Sequence, residues 1–131
     1  MAKISSSISK ELYKIEIKSP TGNVIIADEP ETAGGKDLGF SPSELLAASL
    51  AACTAATLRM YADRKGWDLT EVKIKINLER DESANKTNIS RELELIGNLD
   101  EAQKARLFTI AEKCPVHKML SNPIEISTQL I

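Results

Sequence analysis

Ser41-Pro42-Ser43-Glu44-Leu45-Leu46-Ala47-Ala48-Ser49-Leu50-Ala51-Ala52-Cys53-Thr54-Ala55-Ala56-Thr57-Leu58 decides the fold. Ser41 can cap the free N–H groups of a first turn, Pro42 suits the first helical position, and Glu44 stands three residues after the cap. A helix therefore starts here. From Leu45 onward the stretch is apolar almost all round, which predicts a helix buried in a core rather than laid on a surface. Many of its side chains are Ala, small enough for another backbone to come close. Glu44 and Arg59 bracket 14 uncharged residues, 45 to 58. A membrane span needs roughly 20, so the stretch reads as a core helix. Cys53 sits in its middle, where a thiol is either a small space-filling hydrophobe or a reactive group.

Outward from this helix the chain alternates between strands and helices. The helix continues through Arg59-Met60-Tyr61-Ala62-Asp63-Arg64-Lys65 and stops at Gly66, with basic residues in its last turn. Trp67 is expected to pack against that end. Upstream, Tyr13 to Lys18 and Val24 to Ala27 read as a hairpin closed by Pro20-Thr21-Gly22-Asn23. Residues 28 to 40 form a loop with one Pro, three Gly and five charges. Its Gly34-Gly35 pair lacks the Lys-Ser/Thr ending of a phosphate loop.

Downstream, Glu71 to Glu79 alternates apolar and polar residues for nine positions, the clearest strand in the chain. Ile89 to Ile96 alternates less cleanly and reads as its antiparallel partner, with Asp81 to Asn88 as a polar loop. Asp100 and Gln103 make a capping box for a helix with Ala102, Leu107, Ile110 and Ala111 on its apolar face. Cys114-Pro115 interrupts, Val116 to Leu120 forms a short turn of helix, and Asn122-Pro123 breaks again. Ile124 to Leu130 alternates as a final strand. The order ββ-α-ββ-α-α-β describes a single α+β domain over residues 1–131, with helices against one face of a mostly antiparallel sheet.

Composition supports one domain: 131 residues, 42% hydrophobic and 27% charged. Aromatics are only 4%, so the core must be aliphatic. A net charge of −2 gives no electrostatic reason to expect nucleic acid. Met1-Ala2-Lys3-Ile4-Ser5 lacks the apolar run of a secretion signal, so a cytoplasmic protein with no membrane partner is expected. Thiols there are kept reduced, and a pair of them points to redox chemistry, catalysis or metal binding rather than a structural disulfide.

Cys114 precedes Pro115 and should cap a short helix, where partial positive charge, with Lys113 and Lys118 close by, favours the thiolate. The plain alternative is a small residue before a proline break. Cys114-x-x-His117 has a spacing seen in zinc sites, but with Cys53 it makes three ligands and no fourth Cys or His exists. Glu44 is the acid nearest Cys53 in sequence. Nine residues at about 100° each put it on the opposite side of the helix, as a capping-box Glu would be, whereas Ser43 is nearer the Cys53 face.

Two motifs together say more than either thiol. Gly39-Phe40-Ser41-Pro42-Ser43-Glu44-Leu45-Leu46-Ala47-Ala48-Ser49-Leu50-Ala51-Ala52-Cys53-Thr54 resembles the signature of the OsmC/Ohr family (osmotically induced and organic hydroperoxide resistance proteins). Lys113-Cys114-Pro115-Val116-His117-Lys118-Met119-Leu120 resembles its second Cys motif, and the resemblance covers nearly the whole chain. It implies an intertwined homodimer with the central helices at its heart. It also implies a thiol peroxidase acting on hydroperoxides, with Cys53 peroxidatic, Cys114 resolving, a dithiol or redoxin as reductant, and no cofactor or metal. The Cys53 thiolate would become a sulfenic acid and condense with Cys114 to a disulfide, which blocks further oxidation.

The chain departs from the best-described peroxidases of that family in two places. They hold the thiolate with an Arg from well before the first Cys, but Arg59 is the first Arg here. Lys36 stands as its cationic substitute, a point charge rather than a bidentate fork. They also carry a Glu directly after the motif Pro, where this chain has Ser43 and moves the acid to Glu44. The Ser-Pro-x-Glu form resembles another branch of the family. The second reading is accordingly a redox-sensing or small-molecule-binding protein on the same scaffold, without efficient peroxidase activity.

Overall fold

The computed structural model describes residues 2–131; Met1, the first residue of the N-terminal stretch read for a secretion signal, lies outside them. The chain divides into two compact units, residues 1–46 and 47–131.

The first unit is a three-stranded antiparallel sheet of β1 (Ser5–Ile8), β2 (Ile15–Lys18) and β3 (Val24–Ala27), in that order. The expected hairpin is β2–β3, with Ile15 opposite Ala27 and Lys18 opposite Val24. Its turn closes through Gly22 N–H to Ser19 C=O at 3.1 Å and Asn23 N–H to Ser19 Oγ at 3.1 Å. β1 is an addition to the expected order. Its Ser5-Ser6-Ser7-Ile8 sequence carries no apolar alternation, and all four residues are exposed.

The loop after β3 is built around a buried carboxylate. Asp28 Oδ1 accepts N–H bonds from Tyr13 at 3.2 Å and Glu29 at 2.7 Å, and Oδ2 from Lys36 at 3.3 Å and Leu38 at 3.2 Å. Four donors converge on one side chain and tie both ends of the loop together. Burial pushes the Asp28 carboxyl up, but bonds from Leu38, Glu29, Tyr13 and Lys36 outweigh it and hold the acid below its ordinary range. Gly35 passes so close to the Glu29 carbonyl that a Cβ would sit 2.0 Å from its oxygen. The glycine is there for chain crossing rather than for a phosphate.

α1 (Pro42–Lys65) carries the decisive stretch. Its start is the expected capping box: Ser41 N–H donates to Glu44 Oε1 at 2.9 Å, and Glu44 N–H to Ser41 Oγ at 3.3 Å. Its end is the expected glycine stop. Gly66 is left-handed, at φ 69°, and donates to Asp63 C=O at 3.1 Å, while Trp67 N–H returns to Ala62 C=O at 2.9 Å. Trp67 then packs edge-on against Tyr61, ring centroids 5.6 Å apart.

In the second unit α1 is followed by β4 (Asp68–Asp81), β5 (Lys86–Asn98), α2 (Glu101–Ala111) and α3 (Pro115–Leu120). β4 and β5 form a two-stranded antiparallel ribbon in which Val72 faces Leu95, Ile74 faces Leu93, and Ile76 faces Arg91. The polar loop is shorter than expected. Asp81 pairs with Lys86, and the Asp81 carboxylate accepts from Ser83 Oγ at 2.6 Å and Ala84 N–H at 3.2 Å, closing a tight turn. α2 begins with the expected box, Gln103 N–H to Asp100 Oδ1 at 2.7 Å and Asp100 N–H to Gln103 Oε1 at 3.0 Å. The core gathers Leu58 and Ala62 of α1, Leu69 of β4, and Leu107, Ile110 and Ala111 of α2. Ala102, expected on the apolar face of α2, is exposed.

The structure corrects three expectations. The strands form two separate sheets of three and two strands, not one. Residues 124–130 form no strand, because no edge of either sheet pairs with them; Ile126 is 87% exposed. The observed order is therefore βββ-α-ββ-α-α. Finally, α1 is not buried all round. Leu50, Thr54, Leu58 and Ala62, four residues apart, make one buried row, while Ser49, Ala52, Ala56 and Met60 are exposed within the single chain. By length and composition α1 would suit a membrane span. Its buried row packs into an aliphatic core, and Thr54 meets a charged side chain there.

Candidate active site

Cys53 sits mid-helix in α1, half-buried and reduced. Cys114 is fully buried at the cap of α3, in extended conformation at φ −65° and ψ 141°, with Pro115 in the first turn. Its Sγ accepts the main-chain N–H of His117 at 3.3 Å. This is the capping role expected for Cys114, performed by sulfur. Lys113 and Lys118 are exposed on either side.

The residue that joins these elements is Arg91 of β5. Its Nη1 donates to Thr54 Oγ1 at 3.1 Å, and its Nη2 lies 3.2 Å from His117 Nδ1. Thr54 is fully buried and comes directly after Cys53 in sequence. The Thr54 hydroxyl donates to the Leu50 carbonyl at 2.7 Å, so toward Arg91 it must accept. A guanidinium can only donate, so His117 Nδ1 also accepts and the ring proton sits on Nε2. One contact path thus runs from the α1 turn holding Cys53, through Thr54, Arg91 and His117, to the cap formed by Cys114. The zinc spacing of Cys114 and His117 is used differently: the sulfur takes an N–H, and the ring nitrogen faces a cation.

Sequence reasoning missed Arg91, and a signal for it was present. Ile89, Arg91, Leu93 and Leu95 are the half-buried row of β5, and Arg91 stands where the alternation calls for an apolar residue. The untidy alternation of that strand marks a charged side chain set into its half-buried row.

The remaining candidates lie in the first unit. Glu44 is engaged in its capping box, and the Ser41 main-chain and hydroxyl bonds hold its carboxyl below the ordinary range. Lys36 is exposed; its Nζ lies 3.9 Å from Glu11 Oε1, and its main-chain N–H bonds to Asp28.

A cavity of about 420 Å³ opens in the second unit beside the Arg91–His117 contact. Leu50, Ile89, Phe108 and Leu120 give it apolar walls, and Arg91 and His117 give it a polar end.

The family model for OsmC-like protein matches residues 34–129. Among curated proteins, none matches the chain. Solved structures do. The OsmC like protein from Mycoplasma pneumoniae is 20% identical at a TM-score of 0.78, covering 92% of this chain and 86% of that one. The organic hydroperoxide resistance protein OhrB of Bacillus subtilis is 26% identical at a TM-score of 0.63, covering 92% and 90%. An organic hydroperoxide resistance protein OsmC from Legionella pneumophila is 20% identical at a TM-score of 0.68, covering 92% and 89%.

Proposed function

Because this chain belongs to the family of OsmC-like proteins, we propose that it reduces organic hydroperoxides with its two thiols. The observation that carries this reading is the path from the Cys53 turn through Thr54, Arg91 and His117 to Cys114. It ties the elements bearing both thiols to one half-buried cation. The likeness to a chain named for organic hydroperoxide resistance supports the same reading.

In the proposed cycle the Cys53 thiolate attacks the outer oxygen of the hydroperoxide. The O–O bond breaks, sulfur loses two electrons, and the inner oxygen leaves as an alcohol after taking a proton. The resulting sulfenic acid is attacked by the Cys114 thiolate, which expels the hydroxyl as water and forms a disulfide. A dithiol or redoxin then returns both thiols by exchange. Cys114 must give up its cap bond for this step, since Sγ at present holds the His117 N–H. Lys36 remains the proposed cation for the thiolate. The working form is proposed as a homodimer in which the open Ser49, Ala52 and Ala56 face of α1 meets a second copy.

Stopped-flow oxidation of the reduced protein by cumene hydroperoxide tests the proposal. Loss of the first thiol far faster than for free cysteine is expected. An ordinary thiol rate would favour the redox-sensing or binding reading instead.

A further inference from the structure

The cavity beside Arg91 has a chemistry that the fold does not require. Arg91 is the one charged member of an apolar strand row, opposite Ile76. Among the described residues it forms no ion pair. Glu112 also lines the cavity but is exposed and does not pair with it. A half-buried charge with no counter-charge is unfavourable unless something compensates it. Of the five N–H donors on a guanidinium, Thr54 and His117 take one each, and three are left. Those two bonds also fix the plane of the group, so its remaining donors are held in place before any ligand arrives. With Nδ1 facing Arg91, the His117 ring keeps Nε2–H as a further donor.

The rest of the wall is apolar. Phe108 is 62% exposed although Leu107 and Ile110 on the same helix are buried, and it lines the cavity with Leu50, Ile89 and Leu120. The volume, about 420 Å³, falls within the roughly 300–1,000 Å³ of small-molecule sites. Neither Cys53 nor Cys114 lines it.

We propose that this cavity binds an organic monoanion: a carboxylate held by Arg91, attached to an aliphatic or aromatic body lying along Leu50, Ile89, Phe108 and Leu120. A carboxylate fits because two parallel N–H groups of a guanidinium match its two oxygens. A bare inorganic anion would leave the apolar walls unused, and a neutral amphiphile would leave the charge unanswered. The site stands independently of the peroxidase reading, and its test uses reduced protein with no peroxide present.

Isothermal titration of the full chain with three amphiphiles that share a ten-carbon chain separates the contributions. Decanoate should bind saturably, one per chain. Decanol should bind about tenfold more weakly or worse, and decyltrimethylammonium not at all. Arg91→Met should bring decanoate down to the level of decanol. Should that variant fail to fold, Phe108→Asp places an acid on a largely exposed wall position, and it should weaken decanoate binding by a similar factor. Equal binding of decanoate and decanol by the unaltered protein overturns the proposal. So does the absence of saturation by decanoate at millimolar concentration, or decanoate affinity unchanged in both variants.

Discussion

Arg91 Nη1 donates to the hydroxyl of Thr54 at 3.1 Å, and Thr54 is the residue next after Cys53 in α1. A strand side chain therefore fixes the helix turn on which the proposed attacking thiol stands. Thr54→Val keeps the shape but removes both the acceptor for Arg91 and the donor to the Leu50 carbonyl. A hydrogen bond to a charged group contributes about 1.5–3 kcal/mol. The melting temperature should fall accordingly, and an unchanged one would mean that Arg91 finds another acceptor.

The two thiols should divide the work. Cys53→Ser is expected to abolish peroxide consumption, because a hydroxyl is not ionised near neutral pH. Cys114→Ser should allow one fast turnover and then stop at a sulfenic acid trapped by a dimedone-type reagent. Excess peroxide should carry that thiol on to sulfinic acid. Sulfenic acid trapped on Cys114 in the Cys53→Ser protein, formed as fast as the unaltered protein loses its first thiol, would reverse the assignment.

Lys36→Met tests the cation proposed for the thiolate. The Lys36–Glu11 pair is long and solvent-exposed, and such pairs add little stability. The variant should melt like the parent and oxidise more slowly at neutral pH. An unchanged oxidation rate would place the cation elsewhere.

Asp28 governs the loop from Asp28 to Phe40, and its effect has a definite pH sign. Its folded carboxyl is held below the ordinary 3.8, so the unfolded chain binds the proton more readily. The stability this contributes is fully present above that ordinary value. It is lost as pH falls toward and through the lowered folded value. Asp28→Asn puts an amide NH₂ where two N–H donors point, so it should lower stability at neutral pH. The acid limb of its stability profile should also flatten between those two values. A variant with the parent's acid limb would show that Asp28 does not set it.

Ala52 is exposed in the single chain, so Ala52→Leu should leave the fold of one chain intact. If α1 faces a second copy there, overpacking of roughly 1–3 kcal/mol should weaken self-association about five- to 150-fold. Sedimentation velocity over a concentration series reads this directly. The same distribution for parent and variant would exclude Ala52 from the interface.

Local chemistry was the legible part of this sequence. Ser41 with Glu44, Asp100 with Gln103, Gly66 with Trp67, and Cys114 before Pro115 each specify their neighbours within a few residues. Each is found as the sequence suggests. What depends on distant partners was not legible. The alternation of residues 124–130 states a capacity to pair, but pairing needs the chain to lie along an edge, and these residues pair with no strand of either sheet. β1 forms without any alternation because β2 offers it an edge. Asp28 looked like one charge among five in a loop, since nothing local shows that four N–H groups will converge on it. Arg91 was visible only as a flaw in a pattern, and its contacts come from residues 37 and 26 positions away.

Trp67, folded back over the end of α1 against Tyr61, is the only tryptophan in the chain. It lies among the residues packed on the core of the second unit. The intrinsic fluorescence of this protein is therefore a local reporter. An emission melt reports the surroundings of Trp67 in the second unit. The three-stranded sheet must be monitored by another probe, such as the exchange of its amide hydrogens. Two transitions that fail to coincide would mean that the units open separately, and a single number for the stability of this chain would then have no meaning.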